Sequence, residues 1–219
     1  MALALFDLDN TLLAGDSDYS WGQFLVSLGA VDAEAYKKAN QQFYEDYKEG
    51  KLDIHEFARF AFKPLAENSL EQLKAWRQQY VEEIIRPMMT VKGQDKIIWH
   101  KQRGDEIVII TATNSFITQP IAEAFGVEHL IATEPTRDNG QFIADIAGVP
   151  CFQDGKVKRL HTWLNAQPDL TLNGSWFYSD SHNDLPLLEL VDHPVAVDPD
   201  QQLHLAATEK GWAMTSFRD

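Results

Sequence analysis

The sequence predicts an α/β protein: a doubly wound parallel sheet covered by helices on both faces, with an all-helical segment inserted after the first strand. Three observations carry this reading. Residues 2–8 (ALALFDL) begin with a short, unbroken apolar run of the kind that fills a strand buried on both faces. Residues 16–86 hold only helix-period apolar spacing. From residue 88 onward, short apolar runs alternate with helix-period segments, as in a parallel sheet built from crossover units. The expected boundaries are 1–14 plus 88–219 for the core and 15–87 for the helical domain.

Within the insert, YSWGQFLVSLG, AEAYKKANQQFYEDYKEG, DIHEFARFAF and SLEQLKAWRQQYVEEIIRP read as four helices, punctuated by Gly29, Gly50 and Pro64. The core resumes with a helix, GQDKIIWHKQRG, stopped by Gly104. A buried strand at 106–111 (EIVIIT), a helix at 115–126 and a short strand at 129–133 follow. Asn-Gly inside 136–148 signals a hairpin. A helix at 155–165, a strand at 175–180, a helix at 183–191 and a last clear strand at 193–198 complete the pattern.

With 44% hydrophobic and 24% charged residues, the chain has the composition of a globular protein with a sizeable core. A net charge of −14 opposes nucleic acid and anionic membranes as partners, and obliges any anion site to supply its own cation. Cys151 is alone, which excludes an internal disulfide and a cysteine zinc site. The histidines offer no pair at i,i+4. Asp7 interrupts the first apolar stretch and no basic residue precedes it, unlike a signal peptide. No apolar run reaches membrane-spanning length. The expectation is a soluble cytoplasmic protein; its oligomeric state is left open.

Ligands of open parallel sheets bind beyond the carboxyl ends of the strands, and three strands here end in polar groups. The first runs into Asp7, Asp9 and Thr11. The second ends at Thr111, followed by Ala112, Thr113 and Asn114. The third ends at Asp180, followed by Ser181, His182, Asn183 and Asp184, and Lys156 opens the helix before it. Asp7, Asp9 and Asp180 offer the hard oxygens that Mg²⁺ prefers. Thr111 brings a hydroxyl, the backbone N–H groups after it suit an anion at a helix start, and Lys156 brings a point charge. Singly, each has a plain structural reading: a cap hydroxyl, solvated loop acids, a surface lysine. Asp7-x-Asp9-x-Thr11 also resembles the start of a calcium loop. However, Leu12 and Asp18 stand where that loop needs Gly and Glu, and a strand precedes it. Four elements in order, each at a strand end or helix start, set the group apart.

On these residues the chain resembles the haloacid dehalogenase superfamily of phosphohydrolases, over essentially its whole length. Within it, the chain is similar to the phosphoserine-phosphatase-like branch with a helical cap. FDLDNTL, the Thr of IIT, the Lys of GKVKRL, and DSHND carry the likeness. The resemblance implies a Rossmann-like core and a small phosphorylated metabolite as substrate. It makes Asp7 the nucleophile, forming an aspartyl-phosphate, and Asp9 the general acid and then base. Thr111 and Lys156 would hold the phosphate. Mg²⁺ would be held by Asp7, the Asp9 carbonyl and Asp180, and Asp184 would orient Lys156 or a metal-bound water. A carboxylate attacking a phosphate dianion meets like-charge repulsion, which a cation and a lysine relieve. The second acid, Asp9, favours phosphate over carbon–halogen chemistry.

The insert would then close over the site. By resemblance Asp16, nine residues after Asp7, or Asp18, reads a substrate ammonium; the alternative is a helix N-cap. Where the phosphoserine enzymes cluster basic residues, this chain has Arg59 alone among Phe57, Phe60 and Phe62. Either these aromatics are cap core, or they shape an apolar pocket that suits an amino-alcohol phosphate such as histidinol phosphate better than phosphoserine. His182 is either at the pocket rim or on a surface loop. A phosphotransferase or mutase using the same intermediate, and a non-catalytic phosphate-binding regulator, are the alternative functions.

Overall fold

Strand β1 (Leu3–Phe6) is buried along its whole length. The computed structural model, which describes residues 2–218, places it inside a six-stranded sheet. The strand ends before Asp7 rather than at Leu8. There the chain enters a wide turn, Leu8–Leu12, in which Asn10 takes φ +56° and Leu13 N–H closes on the Leu8 carbonyl at 2.9 Å. Asp7 N–H still pairs with the Tyr178 carbonyl (2.9 Å), so the first acid stands at the sheet's edge and the second within the turn.

The helical segment follows as α1 (Ser17–Ser27), α2 (Ala33–Lys48), α3 (Ile54–Ala61), α4 (Lys63–Glu67) and α5 (Leu70–Tyr80). The last continues through a π-helical turn, Val81–Ile85, into α6 (Arg86–Met88). Side chains of Asp16, Asp32, Asp53 and Ser69 each accept first-turn N–H groups of the helix they precede, a contribution of roughly 1 kcal/mol apiece. Pro64, read from sequence as a turn, sits instead in the first turn of α4, where its missing N–H removes no helical bond. The chain comes back beside the point where it left: Ala14 N–H reaches the Met88 carbonyl (2.7 Å) and Thr90 N–H the Leu12 carbonyl (3.0 Å).

The remainder runs α7 (Val91–Gln102), β2 (Glu106–Asn114), α8 (Ser115–Ala124), β3 (His129–Thr133), β4 (Pro135–Asp138), β5 (Gln141–Ile146), α9 (Asp154–Leu164), β6 (Trp176–Ser179), a 3₁₀ turn at His182–Asp184, α10 (Leu185–Leu188), β7 (His193–Val197), α11 (Gln201–Lys210) and β8 (Ala213–Thr215). The sheet order is β3-β2-β1-β6-β7-β8, every pair parallel. The order reverses between β1 and β6, which opens a crevice at their carboxyl ends. The Asn-Gly hairpin is present as β4–β5, with Asn139 at φ +48° and Gly140 at φ +85°, and it packs on α3 and α4.

Four further elements differ from expectation. β2 continues past Thr111 to Asn114, its register against β3 shifting between Ile110 and Asn114. The helix expected at 183–191 is split into the 3₁₀ turn and α10, with Pro186 in the first turn of α10. α11 and β8 were not anticipated: α11 buries only Leu203 and Ala207, and β8 is an exposed edge strand.

Alternate residues of the strands point to opposite faces. Leu3, Leu5, Val108 and Phe177 pack with Leu160, Leu187 and Leu203. On the other face Ala4, Phe6, Ile109 and Tyr178 join Ile97 and Ile117, and this cluster runs on through Leu12 and Leu13 to Trp21, Phe24 and Tyr80 of the inserted helices.

Candidate active site

Lys156 is the centre of the crevice. Its position depends on its neighbour: a Cβ on Gly155 would lie 1.9 Å from the Pro150 carbonyl oxygen, so only glycine allows α9 to start this close to the preceding loop. From there Lys156 Nζ donates to Asp7 Oδ1 at 2.6 Å and to Asp184 Oδ2 at 2.7 Å. All three side chains are buried. Ser179 Oγ, at the end of β6, donates to the same Asp184 oxygen at 2.6 Å. Asp180 is joined to the first motif by the Thr11 hydroxyl, 3.2 Å from its Oδ1.

The electrostatics follow from burial. Desolvation pushes the Asp7 carboxyl up to about 7; Lys156 pulls against this, while Asp184 and Asp9 add to it. Asp180 is held well above the usual carboxylate range by burial and then by Asp7 and Asp184. Burial alone would lower the Lys156 ammonium, but Asp184 and Asp7 outweigh it and hold the lysine above its ordinary value.

Three buried or part-buried carboxylates thus share one ammonium. The donor set fits a hard divalent cation: it has oxygen ligands and a deficit of positive charge. Among the described residues, no group of three or more His, Cys, Asp or Glu side chains is placed to hold a metal. The set anticipated from sequence is a different one: two carboxylates, Asp7 and Asp180, with the main-chain carbonyl of Asp9.

The side chain of Asp9 is turned towards the inserted helices. Ser17 N–H donates to its Oδ1 at 2.6 Å, Thr113 Oγ1 to its Oδ2 at 2.8 Å, and Thr111 Oγ1 more weakly at 3.5 Å. Thr111 is fully buried and also accepts the Thr113 N–H. Because β2 extends to Asn114, the N–H groups of Ala112 and Thr113 lie in extended chain and not at a helix start, which corrects that expectation. Asn114 is the N-cap of α8: its Oδ1 accepts the Ile117 N–H, and its Nδ2 lies 3.4 Å from Asp18 Oδ1.

A pocket opens from Asp7, Asp9 and Thr111 towards the inserted helices, with Asp16 and Asp18 on its wall. Asp16 does cap α1, accepting the Asp18 and Tyr19 N–H groups through Oδ1, and it also faces the pocket. Burial, then Asp9, pushes it up to about 7; burial, then Asp16 and Asp9, raises Asp18. The rest of the wall is largely aromatic: Tyr19, Phe43, Tyr44, Tyr47, Phe57 and Phe152. Among the described residues, no lysine or arginine lines it.

Arg59 is a correction. It is exposed on α3 and absent from the pocket wall, because α3 buries Ala58 and Ala61 and leaves Arg59 to solvent. Phe57 does line the pocket, whereas Phe60 packs on Tyr36 and Phe43, and Phe62 is core. His182 is paired with Asp200 (2.7 Å) and abuts Gly50, outside the pocket wall.

Sequence reading missed Ser179, the hydroxyl of Thr113, Tyr47 and Asn40. Thr113 was recoverable, since residues i and i+2 of a strand share a face and Thr111 was already chosen. Tyr47 was not: the Asn183 amide holds its carbonyl at 3.1 Å across 136 residues of chain.

At the switch point of a doubly wound sheet, roofed by helices, this cluster defines an enzyme of the phosphatase class. The chain belongs to the haloacid dehalogenase-like hydrolase family, whose model matches residues 4–189. It is 42% identical to a histidinol-phosphatase of Neisseria meningitidis serogroup C, over 99% of each chain. A crystal structure of a protein from Bordetella pertussis Tohama I matches with TM-score 0.92 and 43% identity, covering 99% of both chains. A substrate-bound phosphoserine phosphatase matches with TM-score 0.71 at 18% identity, covering 99% of this chain and 93% of that one, a likeness of fold. No helix among the described residues is long and apolar enough to cross a membrane.

Proposed function

We propose that the protein is a Mg²⁺-dependent phosphomonoesterase that works through an aspartyl-phosphate on Asp7, with an amino-alcohol phosphate, histidinol phosphate, as substrate. One observation carries the substrate reading: the pocket leading from the Asp7–Lys156–Asp184 cluster is aromatic and acidic and has no basic residue. Such a wall suits a cationic, aromatic leaving group and offers no cationic side chain to a carboxylate, which the serine of phosphoserine carries. The Neisseria histidinol-phosphatase, similar over the full length, supports the same reading.

In this mechanism Lys156 offsets the charge of the incoming phosphate. Asp7 Oδ attacks phosphorus and the bond to the leaving oxygen breaks, which divides one difficult displacement into two easier ones. Asp9, fixed by Ser17 and Thr113, delivers its proton to the leaving alkoxide and then removes one from the water that cleaves the acyl phosphate. Asp184, anchored by Ser179, keeps Lys156 aimed at Asp7. Asp7, Asp180 and the Asp9 carbonyl would hold Mg²⁺, which favours the ionised form of Asp7 and neutralises phosphate charge when bound. Residues 15–87 act as the cap that excludes water.

The test is phosphate release from histidinol phosphate, phosphoserine and sugar phosphates, with Mg²⁺, with EDTA, and with Asp7→Asn. Release that is fastest for histidinol phosphate and vanishes in both controls is expected. Undiminished release from Asp7→Asn overturns the mechanism, and a preference for phosphoserine overturns the substrate.

A further inference from the structure

Resting on that reading, we propose that Asn40 is a specificity-determining residue whose side-chain carbonyl accepts the ring N–H of a heteroaromatic leaving group, of which imidazole is the fitting example.

Asn40, Phe43, Tyr44 and Tyr47 follow at i, i+3, i+4 and i+7 along α2, so they form one stripe on one face. All four line the pocket. The stripe therefore presents one polar side chain among three aromatic rings.

Asn40 is only 3% exposed. Its Nδ2 donates to the Tyr19 carbonyl at 3.1 Å. A carbonyl can only accept, which settles the orientation of the amide and leaves Oδ1 as the free end. No donor from the described residues reaches that oxygen. Among the described residues, Asn40 Oδ1 is not one of the fully enclosed unpaired atoms, so it keeps access to the pocket, and an acceptor open on a pocket wall offers itself to a donor brought by the ligand.

The packing behind Asn40 holds it there. A Cβ on Gly22 of α1 would lie 2.7 Å from both Asn40 Nδ2 and the Tyr36 ring, so glycine lets α2 approach closely enough for Asn40 to reach the wall. The division of labour in the pocket follows from charge. Asp16 and Asp18 suit an ammonium, the rings sandwich a flat group, and the neutral Asn40 oxygen suits a neutral ring N–H.

The experiment is calorimetric binding of three ligands: histidinol, phenylalaninol, which has a ring of similar outline without the N–H, and inorganic phosphate. The wild-type protein is expected to bind histidinol about tenfold more tightly than phenylalaninol, the value of one hydrogen bond. Asn40→Leu is expected to bind the two amino alcohols alike, with phosphate affinity unchanged. Equal wild-type affinity for histidinol and phenylalaninol overturns the proposal, as does a wild type that does not bind histidinol. A parallel loss of phosphate binding in Asn40→Leu overturns it too, because the role would then be structural. A histidinol preference without phosphate release would instead overturn the proposed reaction and leave the assignment of Asn40 standing.

Discussion

Ser17 and Asp9 are bonded backbone to side chain: the amide of the first residue of α1 donates to Asp9 Oδ1 at 2.6 Å. The group assigned as acid and base is thereby fastened to the first turn of the inserted helices. Ser17→Pro removes that N–H while keeping a residue favoured at the first helical position, and Asp16 before it already has the extended backbone that proline requires. The variant is expected to stay folded and to lose about 10- to 10²-fold in kcat, the range for a hydrogen bond to a charged group. Steady-state kinetics with a thermal melt on the same sample checks both halves.

Among the described residues, Lys156 is the ammonium bonded to both Asp7 and Asp184. Lys156→Met keeps most of the side-chain length and removes the charge. It should lower kcat by about 10²–10³-fold, as removal of one preorganised electrostatic stabiliser does elsewhere. Wild-type turnover by this variant would sink the mechanism.

Removing divalent metal gives a separate check on the carboxylate cluster. With EDTA, release of phosphate should cease and added Mg²⁺ should restore it. In calorimetry, Asp180→Asn should weaken Mg²⁺ binding. Tight Mg²⁺ binding by that variant would take Asp180 out of the ligand set.

His100 sets a pH dependence of stability far from the reaction. It is wholly buried, with Nδ1 on Asp105 (2.9 Å) and Nε2 on the Tyr178 hydroxyl (2.9 Å). Burial lowers its proton affinity below the ordinary 6.5, outweighing the pull of Asp105. The unfolded chain therefore takes up a proton near pH 6.5 while the folded chain does not. The histidine's stabilising contribution is complete above that pH and is lost as pH falls, by up to ~1.4 kcal/mol per pH unit for one proton. Asp7 and Asp16, raised to about 7, act in the opposite direction. The difference between wild type and His100→Gln isolates the histidine. Urea midpoints from pH 7.5 down to 5 should fall more steeply in the wild type.

Cys151 is buried, and desolvation pushes its thiol up to about 12. Neither access nor thiolate is present at neutral pH. Ellman's reagent at pH 8 should leave the native protein unlabelled and label it fully in guanidinium chloride.

What was legible from sequence was what a short stretch can hold. Asp7, Asp9, Thr111, Lys156, Asp180 and Asp184 each stand at a strand end or helix start, and strand ends can be read from a handful of residues. Arg59 went astray for a local reason: in the eight residues of α3, aromatics flank the arginine on every side, and phase alone does not tell the inward face from the outward one. Ala112 and Thr113 went astray because a strand's length depends on its partner, and only β3 shows where β2 ends. Asn40 and Tyr47 of α2 meet Phe152, more than a hundred residues further on, in one wall, and no local pattern records such a meeting. α11 and β8 offered little apolar surface to read.

The unbroken apolar cluster from Phe6 through Leu12 and Leu13 to Trp21, Phe24 and Tyr80 has a thermodynamic consequence. The inserted helices and the sheet layer are not two bodies joined by a tether; they share one cooperative interior. Heat should dissolve them in a single transition, and a chain cut back to the sheet and its flanking helices would present Leu12 and Leu13 to water. The helical roof is in this sense part of the foundation, and exchanging it for another roof means rebuilding the floor beneath it.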